Sequence, residues 1–266
     1  MTSLDFSKKS LIFITGASRG IGRALAIEMS QSIHPQSALV LIASSASALE
    51  ETKSLVLQVE STLNVVTYPI DLSEPSDDVY EKLFDEVIKK VDVSNLDYSI
   101  FIHNAGTIGC LKKTVDLNDV ELWRKYYDLN LISAISLNSK FISKTKGLAK
   151  KLFIVNITSL CGRVPFVNMS MYGSCKAARE LFFKVLAVEE SNLTILNYSP
   201  GPVATDMFET IIETAEDDGL RKSFKETKKT DILTPQKTVK MLLDILKKGI
   251  FESGQTIDYF DLVKST

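Results

Sequence analysis

Tyr172 and Lys176 stand four residues apart in Met171-Tyr-Gly-Ser-Cys-Lys-Ala-Ala-Arg-Glu-Leu-Phe-Phe183, a stretch that reads as an amphipathic helix. Residues i and i+4 share a helix face, so this spacing brings a phenol and an ammonium together. A free phenol titrates near ~10, too high for acid–base work at neutral pH. A cation about 4 Å away, at an effective dielectric of about 20, contributes roughly 4 kcal/mol, enough to lower that pKa by up to ~3 units. The expectation is that Lys176 makes Tyr172 a proton donor near neutrality and keeps other ammonium protons for a ribose. Ser159 closes Asn156-Ile-Thr-Ser159 at the end of an apolar run. In an open α/β sheet that is where ligands sit, and its hydroxyl is placed to polarise a carbonyl. A Tyr-x-x-x-Lys pair alone is more often a plain solvated pair, so its context has to decide.

A second constellation points to phosphate. Thr15 leads into Gly16, Ala17, Ser18, Arg19, Gly20, Ile21 and Gly22, directly after an apolar run and directly before a helical pattern. Glycines there allow a tight turn, and the helix that follows offers unpaired N–H groups and the positive end of its dipole. The end of the second apolar run carries Ser44 and Ser45, with no acid before Glu50. An NAD site usually has a carboxylate at that place to hold the ribose 2′-hydroxyl. Its absence, with Arg19 inside the turn, favours NADP(H), although Arg19 also reads as an ordinary solvent-facing residue.

These groups must be positioned by regular elements. Leu11–Ile14, Ala38–Ile42, Val65–Tyr68, Tyr98–Ile102, Leu152–Ile157 and Leu193–Tyr198 are short, nearly continuous apolar runs, as strands covered on both faces must be. Between them lie helical patterns such as Arg23–Ser32, Asp77–Lys90 and Trp123–Lys146. The alternation predicts an α/β fold: one domain over residues 1–266, a doubly wound, Rossmann-like parallel sheet with helices on both faces. Residues 205–234 are polar and charged, and read equally as a solvated helix pair or as a mobile cover over a substrate. Pro235 after Thr234 marks a helix start, the helix runs to Lys248, and residues 254–258 read as a last strand.

The 266 residues are 45% hydrophobic and 24% charged with a formal charge of -2, which gives no reason to expect nucleic acid or an anionic membrane as partner. No apolar run approaches the roughly 18 residues of a membrane span, and the first residues show no secretory pattern. Three cysteines, Cys110, Cys161 and Cys175, lack metal-type spacing, and His34 and His103 lie far apart. A reduced, cytoplasmic setting and no metal site are expected. Cys161 and Cys175 read as small packing residues rather than nucleophiles.

Taken together, the glycine turn, Asp71-Leu72, Asn104-Ala105-Gly106, Asn130 in Asp128-Leu-Asn-Leu131, Ser159, Tyr172 with Lys176, and Pro200-Gly201 resemble a classical short-chain dehydrogenase/reductase along essentially the whole chain. The resemblance implies a catalytic tetrad of Asn130, Ser159, Tyr172 and Lys176, with Asn130 holding a water beside Lys176. It implies that Asp71 and Leu72 contact the adenine and that Asn104, Ala105 and Gly106 line the cofactor groove. Val203, Ala204, Thr205, Asp206, Met207 and Phe208 would meet the nicotinamide end. Ser44 and Ser45 would border the 2′-phosphate.

Within the family, Val155–Cys161, Lys176–Arg179, Val185–Glu190, Leu196–Pro202 and Ser253–Asp261 resemble the pterin-reducing members. That likeness implies NADPH-dependent reduction of pterin side-chain carbonyls, a homodimer, and a substrate site of Ser159, Leu160, Tyr172, Gly201 and Asp258. Asp258 would accept two adjacent N–H donors of the pterin. Two departures stand out. Ser44 takes a place where vertebrate members tend to carry arginine, and the stretch from Pro165 to Tyr172 lacks the tryptophan associated with them. A broad carbonyl or diketone reductase and a non-catalytic NADP-binding sensor are the competing readings. A broad reductase does not need Asp258, and a sensor does not need the tetrad.

Overall fold

The computed structural model describes residues 2–263. Seven strands, β1 (Ser10–Thr15), β2 (Ala38–Ala43), β3 (Asn64–Pro69), β4 (Leu96–His103), β5 (Ala149–Ile157), β6 (Leu193–Ser199) and β7 (Thr256–Asp258), form one sheet in the order β3-β2-β1-β4-β5-β6-β7. Every neighbouring pair is parallel. The order reverses between β1 and β4, and a crevice opens at such a switch point outside the carboxyl ends of the strands.

The helices are α1 (Gly20–Ser30), α2 (Ala46–Val59), α3 (Asp77–Lys90), α4 (Val120–Tyr127), α5 (Ser133–Thr145), α6 (Ser170–Glu189), α7 (Asp206–Thr214), α8 (Asp218–Thr230), α9 (Pro235–Lys248) and α10 (Tyr259–Val263). Successive strand side chains point to opposite faces, so a strand buried on both sides serves two cores. In β1, Ile12 and Ile14 join Leu25 of α1 and Leu242 of α9. Leu11 and Phe13 join Phe84 of α3, Phe141 of α5 and Phe183 of α6. The Phe13 ring lies 5.1 Å from that of Phe84 and 5.8 Å from that of Phe141. Burying each such ring contributes roughly 2 kcal/mol by area alone.

The expected strands appear within a residue or two of their sequence bounds, except that β5 begins three residues earlier, at Ala149, and α3 matches its bounds. Ser76 caps α3 by accepting from the Val79 N–H, and Asp77 and Asp78 at its start with Lys89 and Lys90 at its end suit the helix dipole. At α9, Thr234 caps, Pro235 opens the first turn and Gly249 closes the helix at φ 64°.

Two segments depart from the simple pattern. The helix expected over Trp123–Lys146 is α4, a π-helical turn at Asp128–Ile132, and α5. Side chains help to open that turn: Asn130 Nδ2 donates to the Tyr126 carbonyl at 2.9 Å, and Ser133 Oγ donates to that of Leu129 at 2.5 Å. Such a local widening is invisible to a 3.6-residue pattern. Residues 205–234 are a helix pair, α7 and α8, docked on the rest of the chain. Ile211, Ala215 and Leu220 pack with Ile108, Leu111 and Met169, and the Asp217 N–H donates to Asn168 Oδ1 at 2.6 Å.

Candidate active site

The glycine turn leaves β1 at the switch point and is held from β4. Thr15 Oγ1 accepts from the N–H groups of Asn104 and Ala105, each at 3.0 Å, and Asn104 Nδ2 donates to the Thr15 and Gly16 carbonyls at 2.9 and 3.2 Å. Gly16 is left-handed at φ 65°, and a Cβ on Gly22 would stand 2.1 Å from the Gly16 carbonyl oxygen. Only glycine lets the turn close this tightly onto α1. Arg19 occupies the N-cap of α1 without a side-chain cap, so no side chain competes for the helix N–H groups there. A close-packed glycine turn on an uncapped helix start fits a dinucleotide diphosphate.

Ser44 and Ser45 are exposed beyond β2, and Ser45 caps α2 through the Ala48 N–H. Beyond β3, Asp71 is exposed and Leu72 buried. The N–H and hydroxyl of Ser73 both donate to the Asp71 carboxylate and hold its pKa below the usual range. Arg19 is ion-paired with Asp206 at the start of α7, and both side chains are largely exposed. Such a pair is worth about 0–1 kcal/mol, little to set against a phosphate.

Residues 203–208 close the other side of the turn. Val203 is bridged to Leu233, and the Ala204 N–H donates to the Leu233 carbonyl at 2.8 Å. A Cβ on Gly20 would sit 3.3 Å from the Thr205 methyl, so this segment meets the glycine turn. Phe208 is buried on Phe224 of α8, ring centres 5.0 Å apart. Met207 packs into the same apolar cluster as Tyr172, Cys161 and Phe166.

Ser159, Tyr172 and Lys176 converge because two glycines allow the short turn at Leu160–Gly162 to sit against α6. A Cβ on Gly162 would come within 2.9 Å of the Ala177 nitrogen, and one on Gly173 within 2.7 Å of the Cys161 carbonyl oxygen. Ser159 Oγ accepts from the Cys161 N–H at 3.2 Å at the head of that turn. Lys176 Nζ stands 5.6 Å from the Tyr172 ring centre and donates to the Ile157 carbonyl at 2.7 Å. Asn130 is buried, with Oδ1 accepting from the Thr107 N–H and Nδ2 donating to Tyr126 and Thr107. Its side chain is therefore committed to the fold, and its backbone carbonyl accepts from Arg179 Nη1 at 3.1 Å, which leaves one lone pair on that oxygen. Gly106 separates it from Lys176: a Cβ there would lie 3.0 Å from Asn130 Oδ1 and 4.0 Å from Lys176 Nζ.

The expected tuning of the phenol is corrected by burial. In the protein alone, desolvation pushes the Tyr172 phenol above its ordinary value, although the Ser159 hydroxyl pulls the other way. Desolvation, then the Arg179 charge, bring Lys176 down to about 7. The charge-only argument left out the cost of burying both ions, and that cost is larger here than their attraction.

Asp258 ends β7, opposite Ser199 at the end of β6. Its Oδ2 accepts from Ser199 Oγ at 2.6 Å and from Arg163 Nη2 at 3.3 Å, and its Oδ1 accepts from the Phe260 N–H at 3.1 Å. Gly201, at φ 73°, packs against Phe260 and Leu233, and Leu160 is exposed on the turn after Ser159.

Two residues matter here that no spacing rule singled out. Arg179, 1% exposed, donates to the carbonyls of His103, Ala105 and Asn130 and to Asn156 Oδ1, tying α6 to the ends of β4 and β5 and to the π turn. Asn168, at φ 60°, joins the segment before α6 to the start of α8. Lys176-Ala-Ala-Arg179 was a visible motif, but only the fold shows what the arginine holds. His103 is a packed core residue: Asn138 Oδ1 lies 3.2 Å from its Nε2, and burial lowers it to about 3. Burial also raises the thiols of Cys161 and Cys175, which suits packing rather than attack. Among the described residues no group of histidine, cysteine and carboxylate side chains could hold a metal, and no helix is long and apolar enough to cross a membrane.

The short chain dehydrogenase family model matches residues 10–216, from the first strand through helix α7. The chain belongs to this family. It is an oxidoreductase with the family's parallel-sheet fold. It is 36% identical to sepiapterin reductase of Bos taurus over 95% of both chains. It is 28% identical to the (S)-benzoin-forming benzil reductase of Bacillus subtilis, over 93% of this chain and 97% of the other. A Shigella flexneri structure of the same fold, complexed with NADP, superposes with a TM-score of 0.77 at 21% identity, covering 96% of this chain and 98% of that one.

Proposed function

We propose that this chain is an NADPH-dependent reductase of pterin side-chain carbonyls, taking sepiapterin to dihydrobiopterin and 6-pyruvoyl-tetrahydropterin to tetrahydrobiopterin. The observation that carries the reading is Asp258: a carboxylate, 9% exposed, at the carboxyl end of β7 in a chain so similar to a sepiapterin reductase. A buried carboxylate there matches the 2-amino and ring N–H donors of a pterin.

NADPH would lie across the switch point, with the glycine turn and α1 on its diphosphate, Asp71 and Leu72 near the adenine, and residues 203–208 at the nicotinamide. It supplies the hydride. Arg19, Ser44 and Ser45 would take the 2′-phosphate, Arg19 leaving Asp206 to do so. Ser159 Oγ holds the substrate carbonyl oxygen, and the Tyr172 hydroxyl gives it a proton. Lys176 holds the ribose and restores that proton through a water on the Asn130 carbonyl. With the phenol raised and the lysine lowered, Lys176 is the stronger acid of the two, which favours returning a proton from it to the tyrosinate after transfer.

The test is NADPH consumption with sepiapterin and with a small diketone, in the native protein and in Asp258→Ala. We expect sepiapterin to be reduced and the substitution to cripple that reaction while sparing the diketone. Indifference of both reactions to Asp258, or reduction of the diketone alone, would favour the second reading, a broad diketone reductase. That reading draws on the likeness to benzil reductase and on the apolar cluster around Tyr172. The three free cysteines suit a cytoplasmic protein. Leu181, Val185 and Val188, exposed along one face of α6, suit a homodimer through that helix.

A further inference from the structure

Asp258 does not stand alone in the cleft. Among the described residues its Oδ2 already carries Ser199 Oγ and Arg163 Nη2, while Oδ1 carries only the Phe260 N–H. A carboxylate offers about four lone-pair sites, so one remains on Oδ1 and none on Oδ2. A ligand with two adjacent N–H donors needs one on each oxygen. The contact that can yield is the longest, that of Arg163 at 3.3 Å.

Among the described residues Arg163 is held only by long contacts. Its side chain is 32% exposed, and its other charged neighbour, Glu180 Oε2, is 3.8 Å from Nε. Glu180 does not depend on it, since it receives Lys184 at 2.7 Å and hydrogen bonds from Thr158 and Thr256. A guanidinium that leaves one oxygen of Asp258 keeps five N–H donors in a plane beside that carboxylate.

Resting on the pterin reading, we propose that Arg163 determines substrate specificity by donating to the ring oxygen of a 2-amino-4-oxo heterocycle whose two N–H donors Asp258 accepts. The edge of such a ring runs amine, ring N–H, oxo, that is, donor, donor, acceptor. A carboxylate with a guanidinium beside it presents the complement. Arg163 directly follows the turn at Leu160–Gly162 that Ser159 opens, so one turn sets the distance between the ring edge and the carbonyl to be reduced.

The test uses the full chain and two ring probes, pterin and its 4-thioxo analogue, titrated by fluorescence quenching. Both keep the two N–H donors, and sulfur is the poorer acceptor. The wild type should prefer pterin by about tenfold, the scale of one hydrogen bond to a charged group. Arg163→Leu should bind pterin about tenfold more weakly and lose the preference, and Arg163→Lys should recover part of both. An unchanged preference in Arg163→Leu, or tighter pterin binding, would overturn the proposal, the latter showing that Arg163 only competes for Asp258. Loss of pterin binding in Asp258→Asn with Arg163→Leu unaltered overturns this inference and leaves the pterin reading standing. Pterin binding indifferent to both substitutions removes the two together. Arg163→Lys keeps the charge, so its oxo-to-thioxo ratio serves if the leucine variant folds poorly.

Discussion

Tyr172 and Lys176 illustrate what spacing can and cannot tell. Their shared helix face follows from four residues of separation, whereas the direction of each pKa follows from burial that no local pattern encodes. Tyr172→Phe removes only the hydroxyl and should lower kcat by about 10²- to 10⁴-fold, the usual worth of a positioned acid. Cofactor affinity should hardly change, which separate titration of NADPH would check. Lys176 has a second consequence, for stability. Its pKa is about 7 folded and near ~10.4 unfolded, so between those values the unfolded chain binds more protons. Stability from this group should therefore rise as pH goes from 7 to 9. Urea midpoints at the two pH values should show a steeper rise in the wild type than in Lys176→Met; parallel behaviour would mean that Lys176 is not depressed.

At the scale of elements, the site depends on how closely the turn at Leu160–Gly162 lies on α6. Gly173→Ala would place a methyl 2.7 Å from the Cys161 carbonyl oxygen, and backbone must shift to admit it. The expected cost is about 1–3 kcal/mol of stability, with Ser159 moved away from Tyr172. A fall in kcat at unchanged NADPH affinity would show the turn to be displaced. Full activity would show that the turn can give without moving Ser159. The docking of α7 and α8 was only half legible in the sequence. Their charges, such as Lys228 paired with Glu209, read as a solvated stretch, while Ile211 of α7, Ala215 just after it and Leu220 of α8 form the buried side. Which of the two held the segment down could be seen only once Leu111 and Met169 were opposite.

For the molecule as a whole, one sheet gathers groups from distant parts of the chain to a single edge. Arg163 and Asp258 are 95 residues apart, and Asn104 reaches Thr15 across 89. The outer face of α6, with Leu181 63% and Val188 85% exposed, leaves apolar surface that a second copy would cover. Leu181→Glu with Val188→Glu should convert a dimer into a monomer in sedimentation velocity. A wild-type chain that sediments as a monomer at micromolar concentration would remove the homodimer.

The sequence by itself determined the alternation of strands and helices, the glycine turn before α1, the start of α9 at Thr234-Pro235, and the phenol–ammonium pair on α6. All of these rest on interactions within a few residues, where periods of 2 and 3.6 and the chemistry of turns are enough. The tertiary structure decided the rest: the buried anchor role of Arg179, the π turn around Asn130, the raised phenol of Tyr172, and the guanidinium lying on Asp258. Each of these is set by desolvation or by a contact between remote segments. Those energies exist only after the sheet has assembled and water has left.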